Sequence, residues 1–168
     1  GTIMRKDELE LLAEIAKEFN LYIISDEVYR GFAFDGLAGI SMGSIEGVED
    51  RVIIIESVSK RYSACGARIG SISSKNKPLM KNILKLCQAR LCVATLEQIG
   101  SAALYSLSDE YTDSVRIEYE KRRDIVYSTL KQIPGVICEK PSGAFYVVVK
   151  LPVDDAEKFV IWMLEDFE

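Results

Sequence analysis

The sequence SVSKRYSACGARIG occupies residues 57–70 and begins one residue after the apolar run VIII at residues 52–55. A short, uninterrupted apolar run is typical of a β-strand that is covered on both faces. The pattern therefore places Lys60 just past the end of a buried strand. Ser57 stands before the lysine and Arg68 follows it by eight positions. These are polar groups at a strand end, where α/β sheets bind their ligands.

A second apolar run, LYII at residues 21–24, also ends in polar residues, and these include Asp26 and Tyr29. We expect this run to form a strand covered on both faces, like the first. If the two strands are neighbours, their ends bring together an amine, a carboxylate, a phenol, hydroxyl groups and a guanidinium. The sequence therefore predicts a single site at this edge of the sheet.

Helical and strand patterns alternate along the chain, which indicates α/β architecture. A shift in composition at residues 108–109 divides a sheet-containing part, residues 1–107, from a smaller α+β part, residues 108–168. The predicted helices cover residues 6–20, 78–107 (as one helix or two), 110–133 and 154–167. The predicted strands cover residues 21–24, 52–55, 68–73, 136–138 and 144–150.

Composition excludes several classes of protein. The 168 residues carry a net charge of −5, which disfavours nucleic acid or an anionic membrane as the main partner. The chain has no histidine, so Ser-His and Cys-His nucleophiles are excluded. The spacing of its four cysteines fits neither a zinc site nor a disulfide framework. We therefore expect no metal, reduced and mostly buried thiols, and a cytoplasmic protein.

Three residues suggest amine and acid–base chemistry. A lysine partly withdrawn from water can act as a neutral amine and attack an aldehyde, although Lys60 taken alone is better explained as a surface lysine that opens a helix. A buried carboxylate at Asp26 would keep the ring nitrogen of a pyridoxal cofactor protonated, but aspartate is also common in turns. Tyr29 could donate to the phenolic oxygen of that ring, or it could be an ordinary half-buried aromatic residue.

Ser57, Ser59 and Arg68 suggest a phosphate site, because hydroxyl groups and a guanidinium together bind phosphate well. Gly66 and Gly70 would let the backbone approach closely. Taken singly, each of these serines is more often a turn residue, and the arginine a partner in a surface ion pair.

Taken together, DEVY at residues 26–29, SVSK at 57–60 and GARIG at 66–70 resemble the class I/II pyridoxal-phosphate-dependent aminotransferases of the aspartate aminotransferase type, which have fold type I. PSGAFY at residues 141–146 is similar to the strand that follows the long helix in the small domain of that family. The resemblance implies that residues 1–107 are part of the mixed-sheet, cofactor-binding large domain. Residues 108–168 would be part of the small C-terminal domain.

The same resemblance assigns roles to these residues. It implies that Lys60 is the catalytic lysine that binds pyridoxal 5′-phosphate covalently, that Asp26 is the partner of the pyridine nitrogen and that Tyr29 is the partner of the ring oxygen. Ser57 and Arg68 match the phosphate ligands, and Ser59 is a weaker match. The implied reaction moves an amino group between an amino acid and a 2-oxo acid, in a homodimer.

Two alternatives remain open. A pyridoxal-phosphate lyase or decarboxylase of the same fold would use the same residues, since fold does not fix chemistry. The resemblance also covers only the middle-to-late part of the family's chain, so we expect a truncated domain that is inactive by itself. One local departure from the family is Ala67, where many members carry tryptophan before the arginine.

Overall fold

The computed structural model describes residues 1–167. Within these residues, six helices and five strands follow one another, with short 3₁₀ turns at Met42–Ser44 and Cys65–Ala67. The helices are α1 (Lys6–Glu18), α2 (Val58–Arg61), α3 (Lys77–Ala89), α4 (Thr95–Leu104), α5 (Asp109–Leu130) and α6 (Ala156–Asp166). The strands are β1 (Ile23–Asp26), β2 (Val52–Ser57), β3 (Gly70–Ser73), β4 (Ile137–Cys138) and β5 (Val149–Lys150).

The main sheet has the order β1-β2-β3, in which β1 runs parallel to β2 and β3 runs antiparallel to it. Parallel strands need a crossover between them, and residues 27–51 supply it. The sheet is therefore mixed, and the predicted α/β class is confirmed. Strands β4 and β5 form a separate antiparallel pair.

Helix α1 begins at Lys6, as predicted, and ends at Glu18, two residues before the predicted end. The Glu8 carboxylate accepts a hydrogen bond of 2.7 Å from the backbone N–H of Arg5, and Asp7 and Glu8 place negative charge in the first turn. Asn20, just beyond the helix, has a φ of 51°, a left-handed conformation that asparagine tolerates. The buried face of the helix packs on the residues that lead into β2 and forms the core: Leu9, Ala13, Met42, Ile45, Val48 and Val52.

The expectation that β1 is covered on both faces is wrong. The side chain of Ile24 is 68% exposed, whereas Ile23 packs against the core, so burial alternates along the strand. The reason is that α1 and its neighbours cover one face of the sheet, while no described residue covers Ile24 on the other. The strand also begins two residues later than predicted. The backbone N–H of Leu21 donates to the carbonyl of Ala16, so Leu21 belongs to the turn that ends α1.

The predicted strand at residues 144–150 is limited to β5, Val149–Lys150. Ala144 has a φ of 56°, outside the extended range, so the chain bends there. Just before the bend, Gly143 forms an antiparallel bridge with Ala33. This pairing joins the loop after β1 to the segment before β5. Residues 78–107 form two helices, one of the two possibilities that the sequence left open.

The expectation of mostly buried thiols is also wrong, because Cys65, Cys87 and Cys92 are exposed and only Cys138 is buried. None of the helices within residues 1–167 combines the length and apolar character needed to cross a bilayer. Over the same residues, no group of three or more cysteine, aspartate or glutamate side chains is arranged to hold a metal ion.

Candidate functional site

The register of the sheet gathers the predicted site residues at one edge. Asp26, the last residue of β1, lies opposite Ile55 of β2, and Ser57, the last residue of β2, lies opposite Gly70 of β3. Neighbouring strands in a sheet are about 4.8 Å apart. The polar ends of β1 and β2 and the start of β3 therefore meet at the carboxyl end of the parallel pair.

Lys60 lies on α2, the four-residue helix that continues directly from β2. The Ser57 hydroxyl caps this helix by accepting a hydrogen bond of 3.1 Å from the backbone N–H of Ser59. The Lys60 side chain is half-buried, and its Nζ lies 5.8 Å from the ring centroid of Tyr29 and 5.6 Å from that of Phe145. The amine therefore lies close to both rings, which pack on each other with centroids 5.0 Å apart.

Asp26 turns the chain as β1 ends. Its Oδ1 accepts a hydrogen bond of 3.2 Å from the backbone N–H of Val28, and its Oδ2 accepts none from residues 1–167. This turn carries the chain from the strand end to Tyr29. The buried carboxylate expected at Asp26 is not observed: Asp26 is exposed at the end of the strand, and one of its carboxylate oxygens is open to a ligand.

Glu27 stabilises the loop after β1, a role that the sequence did not predict. Its buried Oε1 accepts hydrogen bonds from the hydroxyls of Ser25 (3.1 Å) and Ser41 (2.9 Å) and from the backbone N–H of Met42 (3.0 Å). Its Oε2 lies 3.2 Å from Nε of Arg30. A buried carboxylate is stable only when it is paired in this way. The one feature of the sequence that could have indicated this role is that Glu27 is a second acidic residue, directly after β1.

Tyr29 is hydrogen-bonded through its hydroxyl to the hydroxyl of Tyr146. Burial, the hydrogen bond and charge of Tyr146 and the charge of Asp26 together raise the pKa of Tyr29 to about 12. The phenol therefore stays protonated at neutral pH and can donate a hydrogen bond.

Ser57 and Ser59 are in contact, whereas Arg68 points to its own loop. The Ser57 hydroxyl donates to the backbone carbonyl of Ile69 at 2.9 Å and lies 2.8 Å from the Ser59 hydroxyl. Arg68 is exposed and donates to the carbonyl of Cys65 at 3.2 Å. Its φ of 54° is left-handed, a conformation that costs a residue with a side chain of the order of 1–2 kcal/mol. Such strain is concentrated at functional sites.

Phe145 and Tyr146 are the aromatic residues of the site that sequence reasoning missed. They belong to the PSGAFY motif, which indicated only a strand. The Phe145 ring packs edge-on against Tyr29, with centroids 5.0 Å apart, and stacks on Tyr119 of α5 at 4.9 Å. The structure thus brings together Lys60, Tyr29 and two residues that lie more than 80 positions away in sequence.

Comparison with known proteins identifies the family of the chain. The family model "Aminotransferase class I and II" matches residues 1–168. The aromatic-amino-acid aminotransferase 2 of Thermococcus litoralis is 33% identical over 155 residues, which are 90% of this chain and 39% of that protein.

Two solved structures also match closely. The aromatic aminotransferase of Pyrococcus horikoshii has a TM-score of 0.88 at 27% identity, over 98% of this chain and 45% of its own. The aspartate aminotransferase of Thermotoga maritima has a TM-score of 0.86 at 30% identity, over 99% of this chain and 43% of its own.

The chain spans about two fifths of the length of the curated relatives it matches. The family model matches the whole sequence, and the matched residues include the three motifs at the sheet edge. The chain belongs to the class I and II aminotransferase family.

Proposed function

We propose that the natural protein containing this chain is an aminotransferase that uses pyridoxal 5′-phosphate to move an amino group between an amino acid and a 2-oxo acid. One observation carries the proposal: the Nζ of Lys60 lies 5.8 Å from the ring centroid of Tyr29 and 5.6 Å from that of Phe145, just after the end of the strand next to the one that bears Asp26. Membership of the family and the names of its relatives support the same activity.

The side chains at the sheet edge fit this cofactor in their chemistry. Asp26 has a carboxylate oxygen that accepts no hydrogen bond from residues 1–167, which suits a protonated ring nitrogen. The protonated phenol of Tyr29 suits a ring oxygen. When bound, pyridoxal phosphate supplies an aldehyde for the amine and a ring that withdraws electrons from the substrate.

Lys60 has two tasks in this proposal. Its Nζ would hold the cofactor by condensing with the aldehyde carbon, with loss of water. Displaced by the amino group of the substrate, the free amine would take the proton from the substrate α-carbon and deliver it to the former aldehyde carbon of the cofactor. The rings of Tyr29 and Phe145 restrict where the amine can move, so it stays within reach of that carbon.

The phosphate is assigned to Ser57, Ser59 and Arg68. The two serine hydroxyls are 2.8 Å apart at the start of α2, and the Ser57 proton is directed to the Ile69 carbonyl. Each hydroxyl would donate to an anion by exchanging its present hydrogen bond for one to the phosphate. Arg68 reaches the site by exchanging its hydrogen bond to the carbonyl of Cys65 for a charged one to the phosphate. Its exposed side chain has room for this change.

The exposed thiols support a proposal for the cellular compartment, and the exposed apolar side chains support one for the oligomeric state. Three exposed free cysteines suit a reducing compartment, so we place the protein in the cytoplasm.

Leu86, Leu91 and Leu96, on and between α3 and α4, are each at least 72% exposed. Apolar side chains in such a group mark a surface that packs on something else. We assign it to a homodimer, which light scattering would test.

The domain boundary is likewise a proposal, with residues 1–107 in the large domain and residues 108–168 in the small one. Its support is the start of α5 at Asp109, directly after Ser108 in the N-cap position. Limited proteolysis tests it, because cleavage at the boundary should precede cleavage within either part.

The proposal is tested by reducing the protein with borohydride in the presence of pyridoxal phosphate and mapping the labelled peptide by mass. We expect the label on Lys60 in the natural protein and in a Lys77→Ala control, whose lysine is exposed at the start of α3. Lys60→Ala should carry no label. A folded natural protein that leaves Lys60 unlabelled would overturn the proposal.

A second assay separates amino transfer from lyase or decarboxylase chemistry at the same site. The natural protein is given amino acids with and without a 2-oxo acid, and the products are measured. We expect turnover only with the 2-oxo acid. Release of ammonia or CO₂ without it would assign the site to the alternative reaction.

A further inference from the structure

The hydroxyl groups of Tyr29 and Tyr146 are hydrogen-bonded although the two residues lie 117 positions apart. Backbone pairing brings them together. Phe34 donates to the carbonyl of Ser142 at 3.0 Å, and Ala144 donates to the carbonyl of Phe32 at 2.9 Å. Tyr146 therefore approaches Tyr29 because its segment is attached to the loop that carries Tyr29.

Ring contacts restrict the Tyr29 phenol as well. Its ring meets the Tyr146 ring nearly edge-on, with centroids 5.3 Å apart and planes at 75°. The Phe145 ring meets it at 82° with centroids 5.0 Å apart. Aromatic rings prefer these edge-to-face arrangements, so the position of the Tyr29 ring is fixed on two sides. The Lys60 amine lies against the ring at 5.8 Å.

A phenol has one proton and can accept hydrogen bonds at its oxygen. A hydroxyl with no fixed neighbour rotates freely, and its proton points in many directions. Either of the two tyrosines can be the donor in the pair. The raised pKa of Tyr29 corresponds to Tyr29 as the donor while no other acceptor is present. When a third group accepts the proton of Tyr29, the direction of the bond reverses and Tyr146 donates to the Tyr29 oxygen.

We propose that Tyr146 is a positioning residue: its hydroxyl donates to the Tyr29 oxygen and so directs the proton of Tyr29 toward the phenolic oxygen of the bound cofactor. This inference rests on the proposed function. Tyr146 acts through Tyr29 and does not itself touch the cofactor. The charged groups near Tyr29 are Lys60 on α2 and Asp26 at the end of β1.

The test is a spectroscopic pH titration of the natural protein loaded with pyridoxal phosphate, in which the visible absorption of the bound cofactor reports its protonation. Donation by Tyr29 stabilises the deprotonated form of the chromophore, so Tyr29→Phe should move the midpoint to higher pH by about one unit. Tyr146→Phe should move the pH midpoint of the cofactor titration in the same direction by about half a unit. The Tyr29 hydroxyl is still present in this variant, but its proton is no longer directed toward the cofactor.

The double variant distinguishes a positioning role from a structural one. If Tyr146 acts through Tyr29, adding Tyr146→Phe to Tyr29→Phe changes the midpoint no further. Tyr22→Phe, an exposed tyrosine before β1, is the matched control and should titrate like the natural protein.

The outcomes separate this inference from the proposed function. If the natural protein captures the cofactor on Lys60 but Tyr146→Phe leaves the midpoint unchanged, the positioning role is overturned and the proposed function stands. A midpoint shift of equal size with and without Tyr29 would also overturn the role. If the natural protein does not capture the cofactor at all, both are overturned.

Discussion

Replacing Arg123 with methionine should weaken the connection between α5 and the loop after β1. The Arg123 side chain is only 5% exposed. Its guanidinium donates to both carboxylate oxygens of Asp35, at 2.7 and 2.9 Å, and to the backbone carbonyl of Pro141 at 2.7 Å. Lys140 also donates to Asp35, at 3.0 Å. One arginine thus links three parts of the chain that are far apart in sequence.

The expected loss of stability can be built from these contacts. The Asp35 side chain is 44% exposed, so water screens its ion pair with Arg123. This ion pair therefore contributes about 1 kcal/mol or less to the free energy of unfolding. The buried carbonyl of Pro141 loses the partner that Arg123 provided, and an unsatisfied buried acceptor costs about 1–3 kcal/mol. Methionine keeps much of the apolar packing against Phe34. We therefore expect Arg123→Met to lower the free energy of unfolding by about 2–3 kcal/mol.

The measurement is urea-induced unfolding of the natural protein at pH 7, followed by circular dichroism. Arg122→Met is the matched control, because Arg122 is 63% exposed and forms one ion pair among the described residues, with Glu118. Methionine can keep the contact of this side chain with the Tyr119 ring. The control should stay within about 0.5 kcal/mol of the natural protein. Equal stability of the two methionine variants would refute the reasoning.

The loss of stability caused by Arg123→Met should also depend on pH. The hydrogen bonds from Arg123 and Lys140 hold the pKa of Asp35 below its ordinary value of 3.8. A carboxylate with a lowered pKa in the folded state contributes stability that is complete above its unfolded value and is lost as the pH falls through its folded value. The difference between the natural protein and Arg123→Met should therefore shrink below about pH 4.

Two further predictions follow from the site and its support. Asp26→Asn keeps an oxygen that can accept the hydrogen bond of the turn but removes the negative charge. The variant should still bind the cofactor, and its rate of amino transfer in single-turnover assays should fall at least about tenfold. An unchanged rate would contradict the role assigned to Asp26. Gly143→Ala would place a Cβ 2.7 Å from the backbone carbonyl of Phe32 and 2.6 Å from the Ile3 side chain, so we expect a loss of about 1–3 kcal/mol in urea unfolding. Gly66→Ala, where a Cβ meets no atom within 4 Å, is its control, and equal stability of the two variants would be the contrary result.

The elements that could be predicted from sequence are those with local causes. The apolar runs before Asp26 and Ser57 form β1 and β2, because a short apolar run between polar turns has few other ways to bury itself. The polar residues that follow these runs meet at one edge, since parallel neighbouring strands end on the same side. That part of the candidate site was therefore predictable.

The parts that could not be predicted depend on contacts between distant residues. No local pattern indicates that Gly143 pairs with Ala33, and without that pairing nothing places Phe145 beside Lys60. The left-handed φ of Ala144 also contradicts its sequence, since alanine rarely adopts that conformation. The exposed face of β1 was missed because an apolar run does not reveal which of its faces is covered.

These long-range contacts explain how aromatic residues from the second half of the chain can serve a site built on the first half. The segment before β5 is attached at three places: Ser142 donates to the carbonyl of Gly1 at 2.7 Å, Arg123 holds the carbonyl of Pro141, and Gly143 bridges to Ala33. All three attachments involve backbone atoms of the segment, so they fix its path independently of the side chain at residue 146, whose ring packs on Tyr29. Residue 146 is therefore a position where a single hydroxyl, present in tyrosine and absent in phenylalanine, can adjust Tyr29 without disturbing the fold.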